Sequence, residues 1–391
     1  MCIRDSQSPN DRSEDFDVVR NSNVFRIAPN GLLEEIGVNT PCIDYSTGEP
    51  LLLTQPQSTN KVTYSENFTQ WSIDGDSSVT PSATSSPMGV SNATKLIAGS
   101  SDDRQAIKLN NSTTGDVVVS VFAKKGEYST LQFSDSRNPT AFANFDLQNG
   151  LLGSSSVMTG KIEYLGNDWY RCSAAYNSIS DIISFRISIA QSPTSARLQT
   201  FAGNGTDGVY IWGAQVEEQP FVTSYIPTNG SVSSRLSDQI QNAGSTDTIG
   251  SEEGVLYFEG AALVEGGSNR GLSISDGTSS NYLLWKYDDT SNRVQFFYRK
   301  DNVNIAIITI NDIQVLDINS FALAWDDENL YAYVNEVFYE SKSISNTFSA
   351  NALNTISFDY GSGSLRFYGK TKELRVYKSI AQAKIDLPYI N

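Results

Sequence analysis

Apolar and polar residues alternate over short runs along most of this chain, the two-residue period of a strand with its faces in different surroundings. The runs are rich in Val, Ile, Tyr, Phe and Thr and are separated by clusters of Gly, Asn, Asp and Ser. Examples are "GDVVVSVFAKKGEYSTLQFS" (115–134), "IISFRISIA" (182–190), "GVYIWGAQVE" (208–217), "GVLYFEGAAL" (254–263) and "LYAYVNEVFYES" (330–341). In "DVVVSVFAK", Val117, Val119 and Val121 share one face, with Val118, Ser120 and Phe122 on the other. Apolar groups on both sides predict a strand covered on both faces. Helical spacing is convincing once, in "SIAQAKIDL" (379–387), where Ser379 is placed to cap about two turns. The pattern predicts an all-β chain built of two tandem antiparallel β-sandwiches.

Two stretches break the alternation. Residues 7–60 carry turn signals such as "APNG", "NTPC" and "STGEP" and read as an irregular connector packed along a neighbour. The stretch "NGSVSSRLSDQIQNAGSTDTIGSEEG" (229–254) is polar, Ser-rich and poor in aromatics, as a linker is. The expected units are therefore a connector at 7–60, a sandwich at 61–228, a linker at 229–250 and a second sandwich at 251–391, which should fold alone. Arg235 and Asp238 inside the linker either bridge it to a domain or, as the favoured reading, form a solvated pair. The two halves share no motif and are different domains, not repeats.

Composition removes whole classes of chemistry. The chain has 391 residues and no histidine, which excludes Ser-His and Cys-His nucleophile pairs and His-bound zinc. Paired carboxylates of the glycosidase kind are the catalytic class that remains, and no Asp/Glu pair lies in a strand phrase of that kind. The expectation is a protein that is not an enzyme and needs no cofactor. With 28 Lys plus Arg against 44 Asp plus Glu, the net charge is −16, which speaks against nucleic acid as a partner. No run approaches the ~18 apolar residues of a membrane span, so no membrane insertion is expected. Cys42 and Cys172 are too few and too far apart for a disulfide framework or a metal cluster and read as unpaired thiols.

Candidate binding chemistry is confined to two places. "NYLLWKYDD" (281–289) puts Leu283, Trp285 and Tyr287 on one strand face. "RVQFFYRK" (293–300) reads as the next strand, joined through "DDTSN", with Phe296 and Tyr298 as cross-strand neighbours. Trp285, Tyr287 and Tyr298 on an exposed face are what a carbohydrate module uses; on a covered face they are core, and both readings stay open here. "WDDEN" (325–329) gathers Asp326, Asp327 and Glu328, an oxygen-rich turn that either binds calcium or is solvated. It lacks the spacing and the Gly of an EF-hand loop. Trp169 and Trp212 read as core.

Several phrases resemble one family. "NGLLEEIGVNTPCIDYSTGEPLLLTQPQSTNKVTYSENFTQW" (30–71) is similar to a connector of tailed-phage structural proteins. "VFAKKGEY", "GNDWYRCSAAY" and "GVYIWGAQVEEQPFVTSYIPT" follow the order of the jelly-roll module in those proteins. "EGVLYFEGAAL", "ISDGTSSNY" and "FYGKTKELRVYKS" resemble the concanavalin-A-like, laminin-G-like sandwich at the end of phage fibres and spikes. One departure is Asn335-Glu336, where the family often has Asn-Gly; losing Gly predicts a turn other than type I′.

The resemblance implies a virion structural or tail-fibre protein, extracellular on the phage tail. Its implied partners are other virion tail proteins, two further copies in a homotrimer, and a host cell-surface glycan held by the second sandwich. With a net charge of −16 such binding should depend little on salt. The alternative is a carbohydrate-binding appendage of a secreted bacterial polysaccharide-acting enzyme. Finally, Met1–Ser6 read back into codons matches the mosaic-end adapter of transposon-based sequencing libraries. Those six residues are expected to lie outside the fold, at the head of a fragment of a longer protein.

Overall fold

The structure is a computed structural model that describes residues 15–390 except 112 and 180–182; Met1–Ser6 lie outside the described residues. Its regular secondary structure is nearly all antiparallel strand, arranged as two β-sandwiches. In the first, one sheet runs in the order Leu151–Ser156, Phe142–Asp146, Thr130–Asp135, Ile183–Ala190, Gln105–Asn111, Ser72–Gly75. It faces a sheet ordered Thr159–Gly166, Trp169–Ile179, Gly115–Lys124, Gly208–Glu217, Ala93–Ala98, Ser77–Thr84. Val117, Val119 and Val121 point between the sheets onto a core that includes Leu131, Phe133, Phe145, Phe185 and Ile187. Phe122, on the opposite face, packs against Trp212 and Tyr225 with ring centroids 5.4 and 5.8 Å away. The strand is covered on both faces, as its residues predict.

The second sandwich pairs a seven-stranded sheet with a five-stranded one. The larger runs Val337–Ser343, Asn329–Val334, Asn319–Trp325, Gly254–Ala262, Gly369–Tyr377, Leu51–Thr54, Ile43–Asp44. The smaller runs Val303–Ile310, Val294–Lys300, Tyr282–Tyr287, Arg270–Ser275, Thr355–Ser357. The helix Ile380–Asp386 forms where its spacing predicts, with the Ser379 side chain accepting from Gln382 N at 3.2 Å. Its Ala383, with Leu387 and Ile390 just beyond, covers Val255, Tyr257 and Ala324 on the outer face of the larger sheet.

Two segments depart from expectation. The connector is not irregular in its described part: it holds six short strands, Asp17–Val19, Val24–Ile27, Leu33–Ile36, Ile43–Asp44, Leu51–Thr54 and Ser58–Asn60. It serves both sandwiches. Phe25, Ile27 and Leu33 pack on Phe122, Trp169 and Trp212 of the first, while Leu51–Thr54 pairs with Gly369–Tyr377 of the second. The stretch 229–250 is not a free linker either. Ser233–Arg235 pairs with Ser58–Asn60, and Gln239–Gln241 pairs with Asp17–Val19. Ile240, Ala243 and Ile249 are buried in the core of the second sandwich beside Ile43 and Leu52. Residues 251–391 alone would lack these five side chains and an interior strand of their larger sheet.

Arg235 and Asp238 are likewise not solvated: they are 2% and 4% exposed, and Arg20 beside them is 1% exposed. Asp238 Oδ1 accepts from Arg20 Nη1 at 2.8 Å, and Asp238 Oδ2 lies 3.5 Å from Arg235 Nη1. The remaining donors of Arg20 go to the carbonyls of Ser22, Gly37 and Thr40 at 2.9–3.0 Å. Composition sees a polar stretch here; tertiary pairing of most of its buried polar groups, Arg235 Nε excepted, is what lets it be buried.

The hairpin at Asn335-Glu336 also corrects its expectation. Val334 and Val337 are paired, and the two residues between them have φ of 49° and 66°. Positive φ at both central positions is the type I′ turn, made here without Gly. Asn335 is held by exchange with Ser320, its N donating at 2.8 Å and its Oδ1 accepting from Ser320 N at 3.0 Å. That leaves Glu336, exposed and strained, as the weak position. Glu336→Gly should raise stability by about 0.5–1 kcal/mol, since only glycine adopts this backbone without steric cost. Urea unfolding measures it, and a destabilised variant would contradict the turn geometry.

Candidate functional site

The strands that carry the aromatic cluster are paired neighbours as expected, with Trp285 opposite Phe296 and Leu283 opposite Tyr298. Their common face is turned inward, and Trp285, Tyr287 and Tyr298 are each 1% exposed. Trp285 meets Phe258, Phe321 and Phe367 at centroid distances of 4.4, 5.0 and 5.8 Å. The Tyr287 hydroxyl donates to Gly260 O at 3.1 Å, and the Tyr298 hydroxyl accepts from Phe348 N at 2.8 Å. Burial pushes the Tyr298 phenol up to about 12, partly offset by the Phe348 N–H. None of the three rings presents a face to a sugar. Periodicity assigns them to one face; which face is covered depends on the opposing sheet, which local sequence does not specify.

"WDDEN" is a hairpin turn held from within. Asp326 Oδ1 accepts from the N–H groups of Glu328 and Asn329 at 2.8 and 2.7 Å, and Oδ2 accepts from the Tyr331 hydroxyl at 2.8 Å. Asp326 is thus spent on its own turn. Among the described residues, no three His, Cys, Asp or Glu side chains gather as a metal site. Cys42 and Cys172 are buried free thiols, and burial raises both above the ordinary thiol range, so they are held protonated and inert.

A hollow of about 960 Å³ lies between the two sandwiches and the connector. Its floor is the outer face of the first sandwich, where Arg171, Ser173 and Ala175 alternate with inward-facing Cys172 and Ala174. Arg26 and Asp44 of the connector form one wall, and Leu263, Glu265 and Lys370 of the second sandwich form another. The Arg171 guanidinium lies over the Phe122 ring, 5.3 Å from its centroid. Burial lowers the Arg171 pKa, and Glu217 and Glu163 act against that. At Glu163 burial opposes charge, but Lys161, Arg171 and Lys370 outweigh it and hold the carboxyl below the usual range. A second hollow of about 650 Å³ is walled by Glu66, Asn67, Asn92, Thr94 and Thr228 and has no aromatic or cationic side chain in its lining.

No family model matches the chain, and no curated protein matches it. Among solved structures it is similar to the CBM40 of Ruminococcus gnavus IT-sialidase, at 13% identity, TM-score 0.30, over 36% of this chain and 87% of that one. It is similar to sheep galectin-11 in complex with glycerol, at 9% identity and TM-score 0.23, over 32% of this chain and 89% of that one. Mouse laminin α1 domains LG4-5 align at 12% identity and TM-score 0.25, over 71% of this chain and 87% of theirs.

Lys161, Glu163, Arg171 and Lys370 were not singled out from sequence. Arg171 lies inside "GNDWYRC", one position before the inward Cys172, so its outward direction was readable; its meeting with Lys370, some two hundred residues on, was not. The aromatic cluster carries a direct check. Trp285→Ala should cost about 3–5 kcal/mol, as removal of a fully buried Trp does. Tyr298→Phe should cost about 1–3 kcal/mol through the orphaned Phe348 N–H. Thermal unfolding reads both. A Trp285→Ala variant as stable as the parent would mean the ring is not core.

Proposed function

We propose that this chain is a non-enzymatic structural and adhesion component of a tailed-phage virion, a tail fibre or spike, that engages host-surface glycan. The observation that carries this reading is mechanical. Two segments, 51–60 and 233–243, run between the sandwiches and pair with each other at Ser58–Asn60 and Ser233–Arg235; Leu51–Thr54 and Ala243 pair with strands of the second sandwich, and Asn60 bonds the Ala214 and Ile226 carbonyls of the first. The two domains are fastened at two crossings, as suits an arm that must hold a binding surface at a set distance and angle. A module tethered for diffusion around an enzyme needs the opposite, a flexible joint. The order of the connector, jelly-roll and concanavalin-like phrases along the chain supports the same reading.

The glycan part rests on fold class and on the open cleft, whose mainly apolar lining carries several charged groups, since sugars are bound in concave sites with a few convergent polar groups. A single site of millimolar strength supplies only about −4 kcal/mol. Three copies in a fibre, repeated on a virion, raise the effective concentration enough for firm attachment.

Two measurements test the reading. Peptides of this chain should be recovered from density-banded particles that carry its gene. Recovery only in a secreted fraction, in one reading frame with a hydrolase, overturns the virion assignment. Purified chain should adsorb to host cells and lose that adsorption after mild periodate treatment of the cells. Equal adsorption to treated and untreated cells overturns the glycan assignment.

A further inference from the structure

The interdomain cleft carries a slight excess of cations in a chain whose net charge is −16. Arg26, Lys161, Arg171 and Lys370 line it, against Asp44, Glu163 and Glu265. Two of these charges are spent elsewhere. Arg26 pairs with Glu34 at 2.6 Å, and Asp44 accepts from Ile27 N at 2.9 Å and Ser46 N at 3.0 Å. Lys161 pairs with Glu163 at 2.7 Å. The carboxyl of Glu163 feels Lys161, Arg171 and Lys370 together, so the three cations bear on one locus.

Two of those cations have donors to spare. Arg171 Nε is buried without a partner, and its Nη2 makes only a long contact of 3.4 Å to Ser120 Oγ. The Lys370 ammonium makes no hydrogen bond or ion pair among the described residues, although the residue sits half-buried on the second sandwich. A buried guanidinium N–H left unpaired is a standing cost, and its planar fork matches the oxygens of a carboxylate or sulfate. Because the domains are fastened together, Arg171 from one and Lys370 from the other are already facing the same space.

We propose that this cleft is the glycan site and that it takes a sugar bearing an anionic group, a carboxylate or a sulfate, between Arg171 and Lys370 with Lys161 at the rim. The proposal rests on the glycan-binding reading above and adds the ligand class and the residues. It also reverses an expectation drawn from net charge. Binding at a cation cluster is screened by salt, whatever the sign of the molecule as a whole.

The full chain, immobilised, is titrated with polygalacturonate, its methyl ester, dextran sulfate and dextran. Polygalacturonate or dextran sulfate should bind, the better of the two naming the anion, while the methyl ester and plain dextran should not. Affinity should fall between about 50 and 500 mM NaCl, as expected for exposed charges. Lys370→Met and Lys161→Met should each lose about tenfold, one charged hydrogen bond, with the thermal midpoint unchanged. If the anionic polymers bind both variants as they bind the parent, or if the methyl ester binds equally well, the cleft assignment is overturned and the glycan reading stands. Failure of all four polymers also overturns the cleft assignment; the glycan reading falls with it only if periodate-treated cells adsorb the chain as untreated cells do.

Discussion

The carboxylate of Asp238 is the point on which the rest of this structure depends. It sits where the two crossing segments meet. Its backbone N donates to Gln55 O at 3.0 Å, and its Oδ2 accepts from Gln55 N at 2.8 Å, so one residue on each segment grips the other reciprocally. On one side of this grip, Asn60 bonds Ala214 O and Ile226 O of the first sandwich at 3.1 and 2.8 Å. On the other, Phe358 N of the second sandwich donates to Ile240 O at 2.8 Å. Arg20 and Arg235 close over the carboxylate, and Arg235 Nη1 and Nη2 also donate to the carbonyls of Leu236 and Pro56, while its Nε is left without a partner. Burial lowers the Arg235 pKa, while Asp238 and then Glu217 act to restore it. A buried pair of this kind adds little net stability over an apolar isostere, but removing one partner strands the others at high cost. Its effect here is to fix how the two domains meet.

The cleft follows from that constraint. Its floor and its far wall belong to different sandwiches, so its shape exists only because their relative placement is set. The acidic total charge and the cationic cleft are compatible for the same reason: net charge describes the long-range field, whereas recognition is decided by the few groups within a Debye length of the ligand.

What could be read from sequence follows from what is local. The strand faces around Val117–Phe122, the adjacency of the Trp285 and Phe296 strands across one short turn, and the cap of Ser379 are set by residues close to one another in sequence. Burial of Trp285, Tyr287 and Tyr298 was open because it depends on a sheet whose strands lie elsewhere in the chain. The apparent linker misled for a related reason. Ser, Asn and Gln are what a solvated tether uses, and also what a polar seam between two domains uses when most of its groups find partners. Arg235 and Asp238 look the same in either case until Arg20 is placed beside them. The turn at Asn335-Glu336 failed differently: Gly is the cheapest residue for that backbone, and tertiary contacts from Ser320 hold it without one.

The central claim is that the buried Asp238 makes one cooperative unit of two sandwiches. Differential scanning calorimetry of the parent and of Asp238→Ala tests it most directly. The account predicts a single transition for the parent, in which both sandwiches melt together. For the variant it predicts a loss of about 3–5 kcal/mol and two separated transitions, as two buried guanidinium groups lose their counter-charge. Two resolved transitions in the parent, or a variant that melts as the parent does, would contradict it.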